Sequence, residues 1–333
     1  MNFFFFIFKH RFRKIALNNI LNRKKIVKNI ILNFSGPIKY LIFSRIIFFL
    51  AKIFNNVCLI SCDGKPLIKI NGINIWFGGT SQKLDKLNIS KTKSFFLFDN
   101  FIKREKNLIN FYPTIIKKKE FKSNFKIVFV GNIFFIKKKI SYRIWEKRRN
   151  EIFSNFRIIE NRKFWKRYRF KNNLDLLENY INLKNIIRYE ILQRIIKLYP
   201  EKILLIGSSW NRSKNSLPDN FNQNYINNVY GGNLCLDFGS KWGDNSLYPR
   251  SVQIIESGGL LLQSKQKNSK QIFGRFSSKY TYSNMAELIS KIDTLSKHPS
   301  KGNFLIGHMF KRFKNDKYND KTLKKIFKMS KLC

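Results

Sequence analysis

Short, unbroken apolar runs alternate along this chain with longer stretches whose apolar positions return at helical spacing. Lys126-Ile-Val-Phe-Val-Gly-Asn132 is a continuous apolar run closed by glycine, and Lys202-Ile-Leu-Leu-Ile-Gly-Ser-Ser-Trp210, Leu234–Phe238 and Leu260–Gln263 repeat the pattern. Runs so short and so uniformly apolar predict strands buried on both faces. Between them, Tyr142–Phe153 reads as a helix. Asn185–Leu198 reads as another, with Ile186, Ile187, Tyr189, Leu192, Ile195 and Ile196 at helical spacing before Pro200 stops it. Asn284–Leu295 predicts a third, capped by Ser283, and Phe156–Glu160 is read as a further strand. Strand and helix in alternation predict an α/β fold around a parallel, doubly wound sheet. Ligands of such sheets bind beyond the carboxyl ends of the strands. The glycine turns expected there are Gly131-Asn132, Gly207-Ser-Ser209, Gly239-Ser240 and Gly258-Gly259.

The pattern differs before residue 120. Gly36–Asn55 reads as an amphipathic or buried helix, with Pro37 in its first turn and with Lys39, Arg45 and Lys52 excluding a membrane span. Short apolar runs follow at Val57–Ser61, Leu67–Ile70 and Ile73–Phe77, split by the turn signals Asp63-Gly64 and Asn71-Gly72, with Ser94–Phe98 as one more strand. They predict a small β-rich unit, and the basic stretch Ile116–Asn124 reads as a linker. A length of 333 residues suits two domains: an N-terminal one over 1–120 and a C-terminal one over 121–300, with a basic helix over 301–333.

Composition narrows the chemistry. The chain carries 65 Lys+Arg against 20 Asp+Glu, a formal charge of +45. AT-rich codon usage inflates Lys, Asn, Ile and Phe, but Glu codons are AT-rich too, so the shortage of acids still points to anionic partners. Nucleic acid, anionic lipid and a phosphorylated substrate are the candidates. Basic residues are dispersed (Lys117–Lys119, Lys137–Lys139, Arg148-Arg149, Lys324-Lys325) and form no nucleic-acid module, which counts against nucleic acid. Phe3–Phe8 is too short to span a bilayer, and Lys9, Arg11, Arg13 and Lys14 follow it where a signal peptide would place its charges first. Two readings of it stay open: insertion into an anionic membrane surface, or a first element packed on the domain. Four Cys and three His leave no zinc spacing, so no metal is expected. Cys58 and Cys62 read as core thiols, and the lack of a disulfide framework fits a reducing cytoplasm. No G-x-G-x-x-G and no G-x-x-x-x-G-K-[ST] occurs, against an ordinary dehydrogenase or P-loop NTPase.

The informative stretch runs from Cys235 to Gln263: strand, polar loop, a helix opening at Pro249, and a Gly258-Gly259 break into another strand. The opening of that helix, with its positive dipole end and Arg250, is suited to a pyrophosphate without a metal. The pattern Arg250-x-x-Gln253-x-x-x-x-Gly258-Gly259-x-Leu-Leu, followed by Phe276 and by Ala286-Glu-Leu-Ile-x-x-Ile292, resembles the C-terminal domain of group 1 glycosyltransferases, in particular the CgeB-like branch. Phe129-Val-Gly-Asn132 is similar to that family's opening strand, and Ile206-Gly-Ser-Ser-Trp210 to its Gly-x-x-Trp turn. The resemblance covers residues 126 to 295.

It implies a GT-B fold, two Rossmann-like domains of which the C-terminal one holds a nucleotide-sugar and the N-terminal one the acceptor. The implied activity is metal-independent transfer of a sugar from a nucleoside diphosphate donor to a saccharide or lipid-linked glycan. It would occur in the cytoplasm, at the inner membrane face where an anionic surface is a further partner. The nucleotide-sugar is a co-substrate, and no other cofactor is implied. Donor-binding residues carried over are Gly131, Asn132, Gly207, Ser208, Trp210, Ser240, Lys241, Tyr248, Arg250, Gln253, Gly258 and Gly259. Gln253 stands where the family has a ribose-binding carboxylate. The first acid of its Glu-x7-Glu pattern falls at Asn245, beside Asp244. Arg250, Glu256 and Asp244 are the catalytic candidates, with Glu256 expected to point into the same cleft. The rival reading is a non-catalytic basic protein binding a membrane surface or nucleic acid on a degenerate GT-B scaffold.

Overall fold

In the computed structural model the chain divides into two compact units, Met1–Tyr112 with Asp316–Cys333, and Pro113–Asn315. The structure describes residues 5–6, 26–34, 54–61, 73–77 and 94–96. From 109 to 329 it describes all but 111, 114–115, 134, 136–137, 211–215, 218–222, 240–246 and 315–316.

In the first unit, β1 (Phe5–Phe6), β2 (Ile26–Phe34), β3 (Phe54–Ser61), β4 (Ile73–Phe77) and β5 (Ser94–Phe96) form one sheet in the order β1-β3-β2-β4-β5. Every pairing is parallel. Strands β3 and β4 are not neighbours, because β2 lies between them. No hairpin therefore joins β3 to β4, and the turn signals expected at 63–64 and 71–72 lie outside the described residues. The expected helix over 36–55 lies outside the described residues up to 53, and its last two residues open β3. The runs at 67–70 and most of Phe3–Phe8 also lie outside them.

The second unit contains β6 (Ile127–Val130), β7 (Ile203–Ile206), β8 (Ser216–Leu217), β9 (Leu234–Asp237), β10 (Leu260–Ser264) and β11 (Thr281–Tyr282). The order is β11-β10-β9-β6-β7-β8, all parallel. Counted from β6 as the first strand, this is the 3-2-1-4-5-6 order of dinucleotide-binding sheets, with its switch point between β6 and β9. All of β9, and all but the last residue of β10, are buried. Alternate strand residues face opposite sides, so both faces of the sheet are covered. The covering helices include α1 (Lys139–Ser154), α2 (Asn173–Leu198), α3 (Gln223–Tyr230), α4 (Pro249–Glu256), α5 (Met285–Lys297) and α6 (Pro299–Phe313).

Four local expectations are corrected. Helix α2 starts at Asn173 instead of Asn185, because Asn172 caps it by accepting from the Asp175 N–H. Its buried polar residues have partners: Asn179 accepts from the Ser141 N–H (3.1 Å), and Asn182 donates to the Ser141 hydroxyl (2.6 Å). Residues 156–160 form a 3-10 helix instead of a strand, since the Asn155 side chain accepts from the Arg157 N–H and the Phe156 N–H is taken by the Ser283 carbonyl at 2.8 Å. Helix α5 is capped by Asn284, which accepts from the Glu287 N–H at 2.8 Å, while the Ser283 N–H donates to the Glu287 carboxylate at 2.7 Å. The stretch read as a linker packs along the amino-terminal edge of the sheet, where the N–H groups of Lys117 and Lys122 donate to the carbonyls of Glu256 and Gly232, each at 3.0 Å.

The expected basic helix over 301–333 is two helices. Helix α6 belongs to the second unit, and α7 (Lys317–Met329) to the first. Asn319 of α7 accepts from the Tyr112 N–H (2.9 Å) and donates to its carbonyl (3.1 Å), and the Thr322 hydroxyl donates to the Asn110 carbonyl (2.8 Å). Among the described residues no helix is long and apolar enough to cross a membrane.

Candidate functional site

Strand β6 runs into Gly131 at the switch point, and β7 into Gly207. The two turns are tied together. The Gly131 N–H donates to the Ile206 carbonyl (2.8 Å), and the Trp210 indole N–H donates to the Gly131 carbonyl (2.8 Å). The Asn132 side chain accepts from the Ser209 N–H (3.1 Å), and the Ser209 hydroxyl accepts from the Ile133 N–H (3.0 Å). Trp210 is buried, stacked on Tyr189 and edge-on to Phe129. Its part is thus to hold the Gly131 turn. Gly131, at φ +150°, leaves room for Arg250: a Cβ there would lie 2.7 Å from Arg250 Nη2. The guanidinium rests between aromatic faces, 5.1 Å from the Phe129 ring centroid and 5.4 Å from that of Tyr248.

Opposite β6, strand β9 ends in Asp237, whose side chain is fully buried. A buried carboxylate must be matched by donors, and this one has four. It accepts from the Gly239 N–H (3.2 Å), Arg250 Nη1 (3.2 Å), Gln263 Nε2 (3.4 Å) and the Ser251 hydroxyl at close range. Gln263 Nε2 also donates to Ser251 Oγ (2.8 Å). Register explains the grouping, since Gln263 on β10 lies beside Asp237 on β9 and beside Thr281 on β11. Helix α4 supplies Arg250 and Ser251 in its first turn. Pro249 starts that helix, and no side chain caps it among the described residues.

A second guanidinium approaches from α2. Arg188, 9% exposed, donates through Nη2 to the Gly239 carbonyl at 3.0 Å. Burial, and then the positive charge of Arg250, push its pKa below the ordinary arginine value. The Tyr282 hydroxyl is pushed the other way, by burial and then by Asp237, with Arg188 opposing. Three buried atoms here, Arg188 Nε, Gln263 Oε1 and the Tyr282 hydroxyl, have no hydrogen-bond partner among the described residues. Such atoms are rare in protein interiors, where water, an ion or a ligand commonly meets them. Two arginines thus meet at the carboxyl ends of the central strands, Arg250 paired with Asp237 and Arg188 bonded to the Gly239 carbonyl.

The sequence expectations divide on this geometry. Gly131, Asn132, Gly207, Ser208 and Trp210 come together in the paired turns, and Tyr248 and Arg250 lie across from them. Gln253, partly exposed, is one turn along α4 from Arg250. Gly258, Gly259 and Glu256 do not join them. They precede β10, and so lie at the amino end of the sheet, opposite to where ligands bind. A Cβ on Gly258 would meet the Lys117 carbonyl, and one on Gly259 the Tyr230 carbonyl. The pair ends α4: Gly258, at φ +75°, donates to the Ile255 carbonyl, and Gly259 to that of Ile254, each at 3.0 Å. This is the left-handed termination that glycine favours. Helix α4 runs from the ligand edge to the opposite edge, about 10 Å for a helix of this length. That separation removes Glu256 from the cleft assigned to it. Ser240, Lys241 and Asp244 lie outside the described residues.

Asp237, Ser251, Gln263 and Arg188 were not assigned roles from the sequence. An aspartate closing the run Leu-Cys-Leu-Asp is itself a signal, since a carboxylate at the end of a fully buried strand requires partners. Arg188 carries no comparable local signal. Among the described residues no group of three or more His, Cys, Asp or Glu could hold a metal ion. The chain matches no family model and no curated protein.

Proposed function

We propose that the second unit binds a nucleoside diphosphate sugar at the switch point between β6 and β9, and that the chain is a glycosyltransferase of the GT-B kind. The observation that carries this reading is a second buried guanidinium, Arg188, held on the Gly239 carbonyl near Arg250, while Asp237 is ion-paired with Arg250. It leaves an excess of positive charge at the edge where parallel sheets of this order take their ligands. A diphosphate has the charge to balance it. The Gly131 turn makes room for Arg250, and the positive end of α4 adds to the field. Arg250 would stabilise the diphosphate as it departs, an electrostatic contribution needing no metal. Gln253, on the face of α4 that follows Arg250, would bond the ribose through its amide. Lys241 is proposed as a further phosphate contact, and Ser240 and Asp244 as further donor-site residues, on the sequence resemblance alone. The parallel sheet of the first unit is assigned the acceptor, a saccharide or lipid-linked glycan.

The test is a thermal-shift panel of UDP-, GDP- and CMP-sugars on the full chain, followed by release of the nucleoside diphosphate with glycan acceptors. One donor class should raise the melting temperature, and Arg250→Ala should abolish that rise. No shift with any donor, together with salt-sensitive binding to anionic vesicles or DNA, would sink the enzyme and favour a basic binding protein.

A further inference from the structure

Beside the crevice, on the side of α2 and the 3-10 helix at 156–160, the structure holds a cavity of ≈ 40 Å³. Its lining includes Phe238, Arg157, Glu160, Lys184, Arg188 and Lys265. Four of these are cations and one is an anion. The anion is already engaged, since Glu160 accepts from Lys184 Nζ at 2.8 Å and from the Tyr180 hydroxyl at 2.7 Å. Lys184 and Arg188 are each only 9% exposed. Their charges are therefore poorly screened by solvent, unlike those of surface lysines. Arg188 uses Nη2 on the Gly239 carbonyl, but its Nε–H has no partner among the described residues. A buried guanidinium on the wall of a cavity with surplus positive charge is a built site for an anion.

Size limits what can enter. The cavity has room for about three water molecules. That volume suits one carboxylate or one phosphoryl group and is too small for a nucleoside. Phe238 and Lys265 follow β9 and β10, so the cavity opens at the same carboxyl-terminal edge of the sheet as the crevice. Arg188 stands between the two.

We propose that this cavity is a binding site for a single oxyanionic group, a carboxylate or phosphoryl, received by Arg188 with Lys184 and Lys265. The site shares Arg188 with the nucleotide-sugar reading but does not contain Arg250 and does not admit a nucleoside.

A chain of this charge binds anions weakly at many places, so the readout must be local to Arg188. The full chain, labelled with 15N, is titrated at physiological ionic strength with inorganic phosphate and, separately, with acetate, while the arginine Nε–H resonances are followed. Arg188→Lys assigns the Arg188 signal by its loss. Where that variant does not fold, Lys265→Gln, at an exposed position, carries the test. The Arg188 Nε–H resonance should move downfield and saturate with at least one of the two anions, and which one responds separates a phosphoryl from a carboxylate ligand. Lys265→Gln should weaken the response by up to about tenfold, the loss of one charge-assisted contact. Arg250→Ala should leave it in place. The proposal is overturned if the resonance is unmoved by both anions, if Lys265→Gln has no effect, or if Arg250→Ala abolishes the response. In the last case the anion sits in the crevice.

Discussion

Replacing Asp237 by Asn tests the central cluster, because it removes one charge with almost no change of shape. The carboxylate is fully buried and satisfies four donors, one of them the Arg250 guanidinium at 3.2 Å. Breaking a buried ion pair by neutralising one partner costs about 3–5 kcal/mol. Arg250 is 19% exposed, so solvent screening places the loss near the lower end, about 3 kcal/mol. For a unit of this size that corresponds to a fall of about 6–12 °C in melting temperature. The same change should help an anionic ligand, because the carboxylate repels it. Removing one unit charge about 6 Å from a bound diphosphate is worth about 3 kcal/mol for each ligand charge at that distance, at an effective dielectric constant of about 20. Calorimetry or urea denaturation of both chains, without and with saturating pyrophosphate, measures the two effects separately. The variant should be clearly less stable alone, and the gap should shrink by more than half with pyrophosphate. A loss under about 0.5 kcal/mol would refute the buried pair. A gap of unchanged width with pyrophosphate would refute an anion bound next to it.

Three further outcomes follow from packing, capping and titration. Gly302→Ala, within α6, would ordinarily stabilise a helix by about 1 kcal/mol. Here the added Cβ would lie 2.2 Å from the Phe121 ring, so the urea midpoint should fall by the equivalent of about 1–3 kcal/mol, and a raised midpoint would show that Phe121 moves freely. Asn284→Ala should lose about 1 kcal/mol as the cap of α5 is removed, whereas Ser283→Ala, whose contact there is made through its backbone N–H, should stay within about 0.5 kcal/mol. His308, bonded through Nδ1 to the Tyr280 hydroxyl at 2.9 Å, has its pKa pushed below the ordinary 6.5 by burial, with Arg312 and Arg275 adding to it. The unfolded chain then binds the proton more tightly, so this contribution is complete above pH 6.5 and is lost as pH falls through the folded value. Urea midpoints at about pH 7.5 and 5 should differ less in His308→Gln than in the unchanged chain, and an equal difference would exclude His308 as a source.

What could be read from the sequence follows a physical boundary. Strands β6, β7, β9 and β10 are legible because a strand buried on both faces must be apolar at every position. Helix α4 is legible because Pro249 and Gly258 mark its ends. The first half of α2 is not, because Asn179 and Asn182 are polar residues whose partners lie on α1, and periodicity cannot see a partner distant in the chain. The 3-10 turn at 156–160 has the apolar content of a strand, and only the capping bonds of Asn155 and the contact with Ser283 decide its shape. Of the residues named from local motifs, Gly131, Asn132, Tyr248 and Arg250 come together at the switch point. Those brought in by sheet register or from another helix were not named, as with Gln263 and Arg188. Gly258 and Glu256 were placed at the wrong edge because a motif gives the order of residues but not the direction in which a helix carries them across a sheet.

The net charge of +45 takes on a sharper meaning once burial is considered. Charges dispersed over a surface are screened within about 10 Å at ordinary salt and select no particular ligand. Arg188 is different, being the only buried arginine among the described residues. It lies close enough to Arg250 for the two charges to oppose each other, and among the described residues the carboxylate paired here, Asp237, is bonded to Arg250. The two guanidiniums oppose each other there, and an oxyanion that enters would relieve that repulsion as well as make its own contacts. Stability and anion binding must then be coupled in this unit: it should gain more from a diphosphate than from equal ionic strength of chloride. If the two salts raise its melting temperature equally, the arginines are balanced within the fold and the crevice has no claim on an anion.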